Sequence, residues 1–198
     1  MTGTARSTAA LIALLALASL GAQFIVSSAD NPGPWATTWS MARYFTILTN
    51  LMVVGTFGLA ALTGRAPRSF WLAGLVLWVL IVGLVYHLLL YKPHTGLAFW
   101  ADHGLHTAVP LVTTAWWIAF SRTTPLPVLA PVVWLWWPFC YFLYATLRGA
   151  LDGKYAYFFI DLDKLSLMDL ARNFLGLLVA FLVAGYILWG LSRLARRA

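Results

Sequence analysis

FWLAGLVLWVLIVGLVYHLLL, residues 70–90, decides the architecture. It holds no Asp, Glu, Lys or Arg, and as an α-helix rising ~1.5 Å per residue it matches the ~30 Å hydrocarbon core of a bilayer. Five further apolar runs flank it, at about 9–27, 45–63, 105–120, 127–147 and 172–194, each bounded by charge, Pro or Gly in the manner of helix stops. An unpaired peptide group in lipid costs several kcal/mol, so runs of this length are read as helices, and no strand-like alternation competes with them. The chain is 62% apolar and 10% charged, against roughly 25% charged for a soluble domain, which excludes a water-soluble globule. The sequence therefore predicts an all-α, polytopic membrane protein: one domain, residues 1–198, built as a six-transmembrane-helix bundle.

Charge sets the expected orientation. An even number of spans puts both termini on one side, with Arg6, Arg65, Arg68, Arg122, Arg193, Arg196 and Arg197 and no acid. The opposite side carries Arg43, Lys92, Arg148, Lys154, Lys164 and Arg172 together with Asp30, Asp102, Asp152, Asp161, Asp163 and Asp169. Cations are denser in the short connections of the first side, which predicts cytoplasmic termini. The net charge of +7 is thus a matter of topology, and no basic run interleaved with aromatics indicates a nucleic-acid partner. Arg6, the first apolar run and the small residues Ser27 and Ala29 have the outline of a secretory signal, but the run is longer than a signal core and is read as a helix. Cys140 is the single cysteine, so neither an intramolecular disulfide nor a multi-thiolate metal site is available. Oligomeric state is not readable. Trp35, Trp39, Trp100, Trp134, Trp136 and Trp137 fall near span ends and are read as interfacial anchors. The longest polar interval, about 148–171, contains KYAYFFIDLDK (154–164), too aromatic for a linker, and is expected to fold back on the membrane face as a lid or re-entrant segment.

Polar groups within the apolar runs carry the functional signal, because the membrane penalises them unless they are paired. RYFTILTN (43–50) opens the second span and places Thr46, Thr49 and Asn50 on one helical face. DHGLHT (102–107) opens the fourth with His103 and His106 three apart and Asp102 four before His106, while His87 ends the third. In a six-span topology Thr46, His87 and His106 lie at similar depth. A hydroxyl and an imidazole from different helices at one level have the makings of a nucleophile and its base. The ordinary alternative is that Thr46 bonds back to the carbonyl four residues earlier and that Asn50 joins helices.

RYFT in the second span and HGLHT in the fourth resemble the androgen-induced protein family of six-helix membrane threonine hydrolases, and specifically its bacterial branch. FTILTNL (45–51), YATLRGAL (144–151), the aromatic run ending in Asp161 and the closing helix extend the resemblance over nearly the whole chain. It implies an α-helical membrane hydrolase of long-chain lipid esters, in the animal members fatty acid esters of hydroxy fatty acids, with the family's threonine at Thr46 and its histidine at His106. Where some animal members have an acid three residues after the threonine, this chain has Thr49. The bacterial branch implies the cytoplasmic membrane.

On this reading Thr46 attacks the ester carbonyl and His106 takes its proton, with no cofactor and no metal, and with a membrane lipid or lipid ester as partner. Asp102 or Asp161 is expected to orient the imidazole. Asn50 is the first candidate donor to the oxyanion, with His103 also in support. Arg148 and Arg172 are expected to receive a substrate carboxylate, with His87 beside the substrate. Two other readings use the same residues: a metal-dependent lipid hydrolase or haem carrier ligated by His87, His103 and His106 with Asp102, and a non-enzymatic lipid-binding protein whose polar cluster only joins helices.

Overall fold

The computed structural model describes residues 1–121 and 125–194. These form helices and connecting turns, with no strand among the described residues. In chain order they are α1 (Gly3–Ser28), α2 (Pro34–Met41), α3 (Phe45–Thr63), α4 (Ser69–Val85), α5 (Gly96–His103), α6 (Val109–Phe120), α7 (Ala130–Val133), α8 (Trp136–Asp152) and α9 (Leu167–Leu194). Wide π-helical turns extend α4 (Tyr86–Leu90) and join α5 to α6 (Gly104–Ala108), so the chain is continuously helical from Gly96 to Phe120. Arg122, Arg196 and Arg197, counted in the orientation argument, lie outside the described residues.

Among the described residues five helices are long and apolar enough to cross a membrane: Gly3–Ser28, Phe45–Thr63, Ser69–Leu90, Ala130–Asp152 and Leu167–Arg193. They point to a membrane protein. The run expected as the fourth span lies in Gly96–Phe120, which is not among the five, and its Asp102, His103 and His106 lower its apolar character. Short α2 is an addition to the expected elements; Pro34 at its first turn supplies a preset φ where no N–H is needed.

Helix α4 is the axis of the bundle. The apolar window of its span is 67% buried inside the protein, against 17% for that of α9, which presents Val179, Val183 and Ile187 outward. Leu11, Leu14 and Leu17 do the same on α1, so the exterior is an apolar belt suited to lipid. α1 packs on α3 and α5, while α6 and α9 pack on α4. Arg6 fastens the far end of this arrangement, donating to Ala61 O at 2.7 Å and Leu62 O at 3.2 Å, two of the last carbonyls of α3.

Two close approaches depend on missing side chains. A Cβ on Gly74 would stand 2.7 Å from the Trp134 ring. That space lets Trp134 bury itself and donate to Phe70 O at 3.0 Å. Trp134 is therefore a core residue and not an interfacial anchor, whereas Trp35, Trp39 and Trp100 are exposed. A Cβ on Gly83 would stand 2.8 Å from the backbone oxygen of His106. The π turn around His106 has its cause nearby: Pro110, four residues on, has no N–H to return to the His106 carbonyl, and Val109 N–H reaches back five residues to Gly104 O. Such wide turns recur at functional sites, because they re-aim a side chain without ending the helix.

Candidate active site

Thr46 stands in the first turn of α3, after Tyr44, which ends the non-helical approach. The carbonyls a helical threonine would bond back to are those of Ala42 and Arg43, and here they already accept the Tyr144 hydroxyl at 3.0 Å and the Tyr141 hydroxyl at 2.8 Å. The Thr46 hydroxyl turns instead across the helix interface, where Oγ1 lies 3.2 Å from His106 Nε2. The β-branch restricts χ1 and so limits the directions open to that hydroxyl.

The other imidazole nitrogen is held by Asp102. His106 Nδ1 is 3.0 Å from Asp102 Oδ1 and 2.9 Å from the Asp102 backbone oxygen, one helical turn earlier. Both neighbours are acceptors, so Nδ1 carries the proton and Nε2 is left to accept from Thr46, the tautomer a general base needs. Asp102 is itself held by the Tyr86 hydroxyl, which donates to Oδ2. The Tyr86 ring lies flat against the imidazole, with centroids 4.1 Å apart and planes 16° from parallel. The result is one chain, Thr46 to His106 to Asp102 to Tyr86, across α3, the π turn, α5 and the end of the α4 span. Tyr86 was not legible as a member, since a tyrosine near a span end reads as an interfacial anchor.

Thr46 and His106 face an apolar cavity. Its walls are apolar, from Ile81 and Val82 on α4 through Phe142 on α8 to Phe174, Leu178 and Phe181 on α9. Among the described residues no Lys or Arg lines it. Tyr157, Phe159 and Ile160 close one side, so the aromatic stretch after α8 does fold back over the bundle. Gly153, with φ of 68°, ends α8 in the left-handed conformation that starts this reversal. The other expected residues lie elsewhere. Asn50 is fully buried, and its amide nitrogen donates to Thr46 O at 2.9 Å and Leu105 O at 3.4 Å, joining α3 to the π turn and leaving no proton for an oxyanion. His103 turns to Phe99 O at 3.1 Å and stacks on the Phe99 ring. His87 meets the Thr107 hydroxyl at 2.9 Å.

Asp161 is paired with Lys164 at 2.8 Å, and that ammonium holds its carboxyl below the usual carboxylate range, so it does not orient His106. Arg172 is exposed and bridges to Asp169. Arg148 is buried, but its guanidinium donates to the Tyr144 hydroxyl at 2.7 Å and to Trp39 O and stacks on the Trp39 ring. Neither arginine lines the cavity, because both are engaged with their own surroundings. Among the described residues no three His, Cys, Asp or Glu side chains converge on a point that would hold a metal ion, as the orientations of His87 and His103 already require. No protein-family model matches this chain, and no curated protein or solved structure does either.

Proposed function

We propose that this protein is an intramembrane hydrolase of long-chain lipid esters, with Thr46 as nucleophile, His106 as base and Asp102 as the group that fixes the imidazole. The observation that carries the reading is the 3.2 Å contact from Thr46 Oγ1 to His106 Nε2, backed by a carboxylate on Nδ1 and set in the wall of an apolar cavity. A purely structural threonine has no need of that chain, and the resemblance of RYFT and HGLHT to the membrane threonine hydrolases points to the same pair. In this reading the helix Gly96–Phe120 is the sixth membrane span, both termini are cytoplasmic, and the site lies near the opposite face.

The steps follow from the geometry. The ester's acyl chain lies in the cavity with its carbonyl at Thr46. Oγ1 attacks the carbonyl carbon as its proton passes to Nε2, and Asp102 stabilises the imidazolium. The tetrahedral intermediate collapses, the alcohol leaves with the proton from His106, and an acyl-threonine remains. A water activated by the same imidazole then releases the acid. Since no Lys or Arg among the described residues lines the cavity, a free carboxylate on the substrate stays outside it, and a neutral acyl chain is what the interior accepts. Ester hydrolysis by the wild type, Thr46→Ala and His106→Ala in liposomes tests the reading. Loss in both variants with folding preserved supports it; turnover unchanged in either overturns it.

A further inference from the structure

One hydroxyl in the cavity wall is not used by the chain from Thr46 to Tyr86. It belongs to Tyr157, which lines the cavity with Thr46 and His106. The phenol lies against the Thr46 side chain, the first turn of α3 and Tyr141, whose ring centroid is 6.5 Å from its own. We infer that the Tyr157 hydroxyl donates the hydrogen bond that stabilises the oxyanion formed on attack by Thr46. This rests on the hydrolase reading above.

When Oγ1 bonds to the carbonyl carbon, the π pair of the C=O moves to its oxygen, and that oxyanion hangs from the atom to which Oγ1 is joined. A donor set against Oγ1 is therefore also in reach of the oxyanion. Tyr157 gives a hydrogen bond there and no proton: the proton of Thr46 goes to His106 and leaves with the alcohol. The other nearby side-chain donors named so far are committed, Asn50 to two carbonyls, Tyr141 to Arg43 O, Tyr86 to Asp102 and the Trp137 indole to Thr49. The protein packed about the phenol pushes its pKa up to about 12, so it stays protonated at neutral pH. The loop that carries it is fastened at both ends. Arg43 donates to Lys154 O, the Tyr155 ring lies on Gly149 where a Cβ has no room, and Asn173 donates to Phe159 O at 3.0 Å. A donor held this firmly is preorganised, the condition under which oxyanion contacts contribute most.

The test uses the full chain in liposomes. Tyr157→Phe is expected to lower kcat about 10²- to 10³-fold with KM nearly unchanged. It is expected to weaken a long-chain trifluoromethyl ketone, which adds Thr46 to form a stable oxyanion, by the same factor, and to leave binding of an unreactive ether of equal length alone. 3-Fluorotyrosine installed at position 157, which keeps ring and hydroxyl but is more acidic, is expected to move the alkaline limb of kcat toward neutral pH. Tyr157→Phe within about threefold of wild type, or ketone and ether weakened alike, overturns the inference. If Thr46→Ala abolishes hydrolysis while Tyr157→Phe does not, only this inference falls; if Thr46→Ala hydrolyses normally, the hydrolase reading falls first.

Discussion

Two polar clusters sit near one another at the same end of the bundle, and they are put to opposite uses. In the first, the buried Arg43 and Arg148 and the more exposed Asp152 form a strut: Arg43 meets Asp152 at 2.8 Å, and Arg148 ties α8 to the Trp39 carbonyl on α2. Its protons go to backbone oxygens, a carboxylate and the Tyr144 hydroxyl, and none of its charged groups lines the cavity. In the second, Thr46, His106 and Asp102 form a chain whose last hydroxyl ends at a void. Charge density alone favours the first cluster as a site. Direction separates them, since a polar group spent on its own backbone holds a fold, whereas one aimed at an apolar cavity has unspent chemistry.

The comparison breaks most sharply at the nucleophile. Thr46→Ala is expected to reduce ester turnover on the order of 10⁴-fold or more, measured as initial rate in liposomes, with thermal unfolding little changed. Asp102→Asn ranks next. An amide can present its NH2 to Nδ1 and favour the wrong tautomer, but the Asp102 backbone oxygen at 2.9 Å still accepts from Nδ1. The expected loss in kcat is therefore about 10²- to 10³-fold, smaller than where a carboxylate alone holds the tautomer. Gly83→Ala tests positioning from a distance. Its Cβ would press on the His106 carbonyl, and a shift of that order in the base is expected to cost about 10- to 100-fold in kcat with KM barely moved.

The strut should answer in the other currency. Arg148→Met removes its bonds to Tyr144 and Trp39 O and the cation stacked 4.0 Å from the Trp39 ring, yet leaves Asp152 with Arg43. Stability is expected to fall by about 2 kcal/mol, read by denaturant or thermal unfolding in detergent. Turnover per folded molecule is expected to stay within about twofold. A large fall in kcat without loss of stability would show that both clusters serve the reaction.

Much of this contrast was legible in the chain. The apolar runs fixed the helices, 45–63 to the residue, because the hydrocarbon length and the cost of unpaired peptides leave few alternatives. Depth placed Thr46, His87 and His106 at one level, the family resemblance singled out Thr46 with His106, and helical spacing put Asp102 one turn before His106 with Asp161 as the alternative partner. What escaped the reading was the direction of each side chain. Asn50 shares a face with Thr46, but its amide is claimed by the Leu105 carbonyl exposed at the π turn. Arg148 looks like a carboxylate receptor until Trp39, far away in sequence, covers it. Tyr86 and Tyr157 carry no local mark that separates them from interfacial tyrosines, since their roles depend on partners in other helices. The π turn does leave a trace, a proline four residues after His106, which removes the bond that would have held an ordinary α turn there.

The most direct test of the central claim is the position of a covalent adduct. The full chain in liposomes is treated with a long-chain fluorophosphonate, which captures an activated hydroxyl, and the modified residue is located by mass spectrometry. The account predicts a stoichiometric adduct on Thr46 in the wild type, lost in His106→Ala and preserved in Arg148→Met. An adduct on another residue, or ester hydrolysis that proceeds at full rate with Thr46 unmodified, would contradict it.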